Sequence, residues 1–212
     1  MVYLLGALRD GCLTSQYTIK LKQRNRAWLE DVIVPILRNH GIESVRIYVQ
    51  TDSTTRYYVA VKNKKLWLRL KAMLEPVSER NSTPRIFQSL TEKERLAFIQ
   101  GFWDADGGCP KNPNRGKLYI DFTQKDAGVL HTLRKELERM KISSGDVRIS
   151  EKKPTGHIHR FAIISRMALF RFIEYVGSKH PDKQKRLLQI KSRLSKPCLS
   201  ARSGEPAAGS PP

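Results

Sequence analysis

Two Asp-Gly pairs, Asp10-Gly11 and Asp106-Gly107, each close a short apolar run. A carboxylate at the foot of an apolar helix offers a hard oxygen donor, and two of them meeting side by side make a site for a divalent cation. An Asp-Gly step after an apolar helix is also an ordinary stop and turn signal, so the pair gains meaning only from what surrounds it. In the run Ile99-Gln-Gly-Phe-Trp-Asp-Ala-Asp-Gly107, Gly101 and Ala105 are four residues apart. That spacing gives a helix a side-chain-poor stripe against which another helix can pack closely. Gly107 is expected to let the chain leave the helix with positive φ. The first run, Tyr3-Leu-Leu-Gly-Ala-Leu-Arg-Asp-Gly11, has Gly6 only four residues before its Asp, against five from Gly101 to Asp106. Aligned on the Asp-Gly ends, Leu5 falls where Gly101 sits, so the helix packing must shift by about one residue.

The elements that must position these carboxylates are written twice in the chain. After each Asp-Gly comes an alternating strand ending on Gln plus a base, Tyr17 to Gln23-Arg24 and Lys117 to Gln124-Lys125. An amphipathic helix follows, over 26–39 with Pro35 expected to kink it and over 128–141. A hairpin comes next, Ser44 to Gln50 with Arg56 to Lys62, and Val147 to Glu151 with His159 to Ile164. A closing helix carries Leu66, Trp67, Leu70 and Met73 in one half and Leu169, Phe170, Phe172 and Ile173 in the other. The expected organisation is a first half over 1–74, a polar linker over 75–90, a second half over 91–194 and a disordered Pro-, Gly-, Ser- and Ala-rich tail over 195–212.

Lys and Arg number 39 against 20 Asp and Glu, a formal charge of +19 over 212 residues. The bases are spread along the whole chain, which favours a nucleic acid over a membrane surface. The three cysteines form no C-x-x-C pair, and no apolar stretch is long enough to span a bilayer. A soluble protein of the reducing cytoplasm, held to the nucleoid through DNA, is the expectation. Strand parity supplies a polar face to meet DNA. In the first half it carries Lys20 and Lys22, with Arg24 beyond, then Arg46, Tyr48 and Gln50, and Arg56 and Tyr58. Val45, Ile47 and Val49 take the opposite, apolar face. In the second half the polar face carries Lys117, Tyr119 and Thr123, with Lys125 beyond, and then Arg148 and Ser150. Bases there neutralise phosphates or reach guanine edges, and Gln and Tyr hydrogen-bond bases or backbone. One face of any exposed sheet is polar, and part of the pattern needs no more than that.

The second run matches the signature of the LAGLIDADG homing endonucleases at Gly101, Asp104, Ala105, Asp106 and Gly107, and with its partial repeat at Asp10 the chain resembles their single-chain, two-motif type. The resemblance extends to about Leu194. It implies an α+β monomer of two pseudo-symmetric αββαββα halves, packed through the motif helices, with saddle-shaped antiparallel sheets on double-stranded DNA. It also implies site-specific cutting of both strands with Mg²⁺ or another divalent cation held by Asp10 and Asp106, in an enzyme of the kind encoded within introns. Gln23 and Gln124 then correspond to the glutamines that position the attacking water, and Lys183 to the active-site lysine, with Arg80 in a comparable place after the first half. Lys183 lies in a Lys-rich segment after the last expected helix, where a solvated turn is the plainer reading. The shortened first motif leaves room for a binding protein that has lost cutting, and the basic surface for an RNA-splicing maturase that binds intron RNA.

Overall fold

The computed structural model describes residues 1–8, 13–51, 53–78, 81–152, 154 and 156–196. Asp10, Arg80 and the tail beyond residue 196 lie outside the described residues. The first half runs α1 (Val2–Ala7), β1 (Leu13–Thr14), β2 (Thr18–Gln23), a helical stretch over 26–38, β3 (Ile47–Thr51), β4 (Thr55–Lys62) and α4 (Lys64–Leu74). The helical stretch comprises α2 (Arg26–Trp28), a π turn over Leu29–Ile33 and α3 (Val34–Arg38). The π turn falls just before Pro35, whose ring nitrogen has no hydrogen to donate to the preceding turn. The second half runs α5 (Glu92–Asp106), β7 (Ile120–Gln124), α6 (Ala127–Arg139), β8 (Arg148–Glu151), β9 (Ile158–Ile163), α7 (Arg166–Tyr175) and α8 (Pro181–Ser195).

Among the described residues all strand pairing is antiparallel, in the order β1-β2-β4-β3 in the first half and β7-β9-β8 in the second. The counterpart of β1 shrinks in the second half to one bridge between Gly108 and Asp121. The second strand begins at Ile120, so Lys117 and Tyr119 precede the ladder instead of standing in it. The expected linker is not structureless, since β5 (Pro76–Ser78) pairs with β6 (Asn81–Pro84) and a 3₁₀ turn follows over Arg85–Gln88.

The expected alternation puts Ile19, Leu21, Ile120 and Phe122 into the core. Val49 departs from it: the side chain is 57% exposed on β3, an edge strand of the sheet. The segment around Lys183 is a helix and no solvated turn. Leu187, Ile190 and Leu194 form its buried stripe among neighbours that are mostly Lys, Arg, Gln and Ser, and Ser195 belongs to its last turn and not to a tail.

Candidate active site at the crossing of the two motif helices

The centre of the molecule is the contact between α1 and α5. Tyr3, Leu4, Leu5, Ala7 and Leu8 of the first helix are buried, as are Phe98, Ile99, Phe102 and Trp103 of the second. A Cβ on Gly6 would lie 2.0 Å from the Phe98 carbonyl oxygen, and one on Gly101 would lie 2.0 Å from that of Tyr3. The two helices thus touch backbone to backbone at a reciprocal pair of glycines. Gly6, and not Leu5, is the counterpart of Gly101. The missing residue is not absorbed by sliding one helix along the other, because an alanine-sized group at either contact would already collide with main chain. Instead α1 stops at Ala7, one residue past its glycine, while α5 continues to Asp106.

Asp106 is half-buried at the last position of α5, a helix started by a Thr91–Glu94 capping box. The next residue, Gly107, has φ −74° and ψ 161°, so it does not turn into the left-handed region as expected. Glycine serves there for space, since a Cβ would sit 2.0 Å from the Trp103 ring. The carbonyls at a helix C-terminus lack intrahelical donors, and here other elements supply them. Gln23 Nε2 donates to the Ala105 oxygen at 3.1 Å, and Thr123 Oγ1 donates to that of Asp106 at 3.3 Å. Lys183 Nζ donates to the oxygens of Trp103 and Gly107 at 2.5 and 2.6 Å. A cation at that end also complements the helix dipole. Burial lowers the Lys183 pKa to about 8 against the pull of Asp104, Cys109, Asp106 and Asp121.

Sequence reasoning treated Asp104 as pattern only, yet it is the most connected side chain of the centre. Fully buried, it accepts from Tyr3 Oη at 2.7 Å, Ser178 Oγ at 2.5 Å and the Lys179 backbone N–H at 2.8 Å. Tyr3 Oη in turn accepts from Trp28 Nε1 at 2.8 Å. Burial raises the Asp104 pKa, and the three donors oppose that shift. Burial and the adjoining carboxylate raise that of Tyr3. The loop between α7 and α8 thereby reaches across to the first half, helped by Asn25 donating to Asp182 at 2.8 Å and by His180 stacked on Trp28.

The structure brings Gln23, Gln124, Asp106 and Lys183 to this end of α5 and its neighbouring strand ends. Gln23 and Gln124 behave alike, each Oε1 accepting from the next residue's N–H at 2.8 Å. Gln23 spends its amide hydrogens on α5, whereas the buried Gln124 Nε2 has no partner among the described residues. No group of three His, Cys, Asp or Glu side chains that could hold a metal occurs among the described residues. The half-exposed Asp106 carboxylate is a hard oxygen donor, of the type that fits Mg²⁺ or Ca²⁺ better than zinc.

The remaining candidates lie on the two sheet faces. Lys22 donates to Gln50 Oε1 at 2.7 Å, Tyr48 and Tyr58 stack with ring centres 5.1 Å apart, and Lys20 sits over the Tyr58 ring. Arg56 is the register partner of Gln50, and Arg24 and Arg46 are exposed outside the ladder. Arg148 and Ser150 are exposed on edge strand β8, Thr123 stands on β7 and Lys125 just past its end.

With one motif helix from each half crossing at glycine, the chain has a fold similar to that of LAGLIDADG proteins. The LAGLIDADG-like domain family matches residues 93–177. Among curated proteins, the homing endonuclease I-ApeI of Aeropyrum pernix is 29% identical over 202 residues, 91% of this chain and 87% of that one. Among solved structures, I-DmoI in complex with DNA and Mn aligns with a TM-score of 0.61 at 20% identity, over 84% of this chain and 96% of that one. The N-terminal LAGLIDADG domain of DUF199/WhiA aligns with a TM-score of 0.57 at 15% identity, over 85% and 83% respectively.

Proposed function

We propose that this protein is a site-specific endonuclease of double-stranded DNA, acting as a monomer with a divalent cation, Mg²⁺ being the natural ion. The observation that carries this reading is the reciprocal glycine crossing, which delivers Asp106 and the partner-half Gln23 to one place at the foot of the helices. Asp106, with Asp10 from the first motif, would hold the metal. A metal bound there supplies an activated water and neutralises charge on the leaving oxygen. Gln124, whose Nε2 has no partner among the described residues, would orient that water, and Gln23 fixes the last turn of α5. Lys183 holds the same turn through two carbonyls, which keeps the Asp106 carboxylate in one position. The +19 charge and the two polar sheet faces suit a duplex laid across both halves.

The homing endonuclease relative supports the DNA reading, and intron RNA has no comparable support. The shortened first motif, with Gly6 four residues before Asp10 against five from Gly101 to Asp106, favours a second reading, in which the first centre is weakened and the protein nicks or only binds. One experiment separates these. Duplex DNA carrying the uninterrupted insertion site of the gene's intron is incubated with Mg²⁺ and the parent or Asp106→Asn protein. Double-strand cutting by the parent alone is expected. Binding with no cutting by the parent establishes the second reading, and equal cutting by both removes Asp106 from the centre.

A further inference from the structure

The two sheets present equivalent rows of side chains with inverted chemistry. One step back from Gln23, the register across the first sheet places Lys22, Tyr58 and Tyr48 side by side on β2, β4 and β3. One step back from Gln124, the second sheet places Thr123, Arg160 and Arg148 side by side on β7, β9 and β8. Two residues further along the same face, Lys20 is paired with Ala60, and Asp121 with Ala162. In the first half the lysine lies 4.6 Å from the Tyr58 ring centre. In the second half the aromatic has become a cation and the cation a carboxylate, with Arg160 Nη2 2.7 Å from Asp121 Oδ2.

This arrangement is poorly explained by folding alone. Arg148 and Arg160 face each other directly across β8 and β9, and like charges directly opposite destabilise a sheet. Asp121 is only 12% exposed and engages one Nη2 hydrogen, while the Tyr119 ring centre lies 5.4 Å from the guanidinium carbon. Nη1 and the second Nη2 hydrogen remain, which together form the two-pronged edge that matches O6 and N7 of guanine. Held on both sides, Arg160 loses little side-chain freedom on engaging a base. The equivalent Tyr58 carries no such fork.

We infer that Arg160, braced by Asp121, is a specificity-determining residue that reads one guanine in the half-site under the second sheet. The target is accordingly asymmetric, with its sharpest guanine requirement on that side. This inference rests on the DNA endonuclease reading.

The test is selection from a pool of randomised DNA duplexes, sequenced base by base, with the parent, Arg160→Ala, Arg160→Lys and Asp121→Asn proteins. The parent is expected to enrich a site with a required guanine in one half. Arg160→Ala and Arg160→Lys lose about tenfold or more of the discrimination at that base pair and leave the other positions unchanged. Asp121→Asn relaxes the same base pair to a smaller extent. Arg160→Lys keeps the positive charge, so it carries the test should the alanine variant fold poorly. If affinity drops alike for every sequence with all preferences intact, Arg160 is a phosphate contact and the inference is overturned. If the parent enriches no sequence at all, the endonuclease reading itself fails.

Discussion

Replacing Gly101 by alanine perturbs the molecule at its narrowest point. The added methyl would begin 2.0 Å from the Tyr3 carbonyl oxygen, 2.9 Å from its carbon and 3.2 Å from the Ala7 nitrogen, all main-chain atoms that cannot rotate away. Ordinary contact begins near 3.4 Å, so α1 and α5 must separate by about 1.4 Å along that line. Overpacking of this kind costs about 3 kcal/mol, the upper part of the usual range, since no side-chain rotamer can absorb it. For a chain of this size that lowers the midpoint of thermal unfolding by about 6–12 °C. Asp106, five residues further along the same helix, moves with it, and a displacement on the order of 1 Å at a reacting group costs about a hundredfold in rate. Gly145 is the matched control: a Cβ there meets nothing nearer than 3.7 Å, and Gly145→Ala should change stability by no more than about 0.5 kcal/mol. Gly6→Ala should resemble Gly101→Ala, and the double variant should cost less than the sum, because one separation relieves both collisions. Melting followed by circular dichroism, with cleavage rates on the same samples, checks all four proteins. A Gly101→Ala protein that melts within about a degree of the parent refutes the backbone-to-backbone contact.

Removing the Tyr3 hydroxyl with Tyr3→Phe takes one donor from buried Asp104 and leaves Trp28 Nε1 without an acceptor. The expected loss is about 2 kcal/mol, read as a lower urea midpoint with unchanged slope. His180 gives a dependence on acid. Burial, with Lys183 beside it, lowers its pKa to about 4 from 6.5. Between those values the unfolded chain binds a proton that the folded one refuses, so stability is full above pH 6.5 and falls as pH drops toward 4, by about 2 kcal/mol. His180→Gln should flatten that slope in a urea titration repeated across pH, and an unchanged slope assigns it to other groups. Binding to duplex DNA should weaken about a thousandfold between 50 and 200 mM salt if six or more phosphates are neutralised, as checked by fluorescence anisotropy.

Much of this was legible in the sequence, because the repeat leaves the same marks in both halves: a glycine-bearing apolar helix, a strand ending in Gln, an amphipathic helix and a hairpin. Strand parity turns Gln23 toward the motif helices, and both Gln23 and Lys183 grip α5 carbonyls in the structure. α8 escaped notice because its three buried positions, Leu187, Ile190 and Leu194, are outnumbered by charged neighbours. Asp104 was hidden for a different reason. Its partners Tyr3, Ser178 and Lys179 come from distant parts of the chain, and no local pattern announces that a buried carboxylate will be met by three donors. Arg160 could have been found, since the same parity that selects Arg148 selects it on the neighbouring strand.

The crossing of α1 with α5 joins residues about 95 positions apart, and the clasp around Asp104 waits for Ser178 and Lys179. During synthesis from the N-terminus, the glycine face of the first helix therefore lacks its α5 partner until about half of the polypeptide has been made, and contacts of such long range form late. A prematurely ended chain lacking the last third would hold neither the clasp nor Lys183 on the α5 carbonyls. The order in which the ribosome delivers the two halves thus sets when the centre proposed above can assemble, and incomplete copies of the protein lack it.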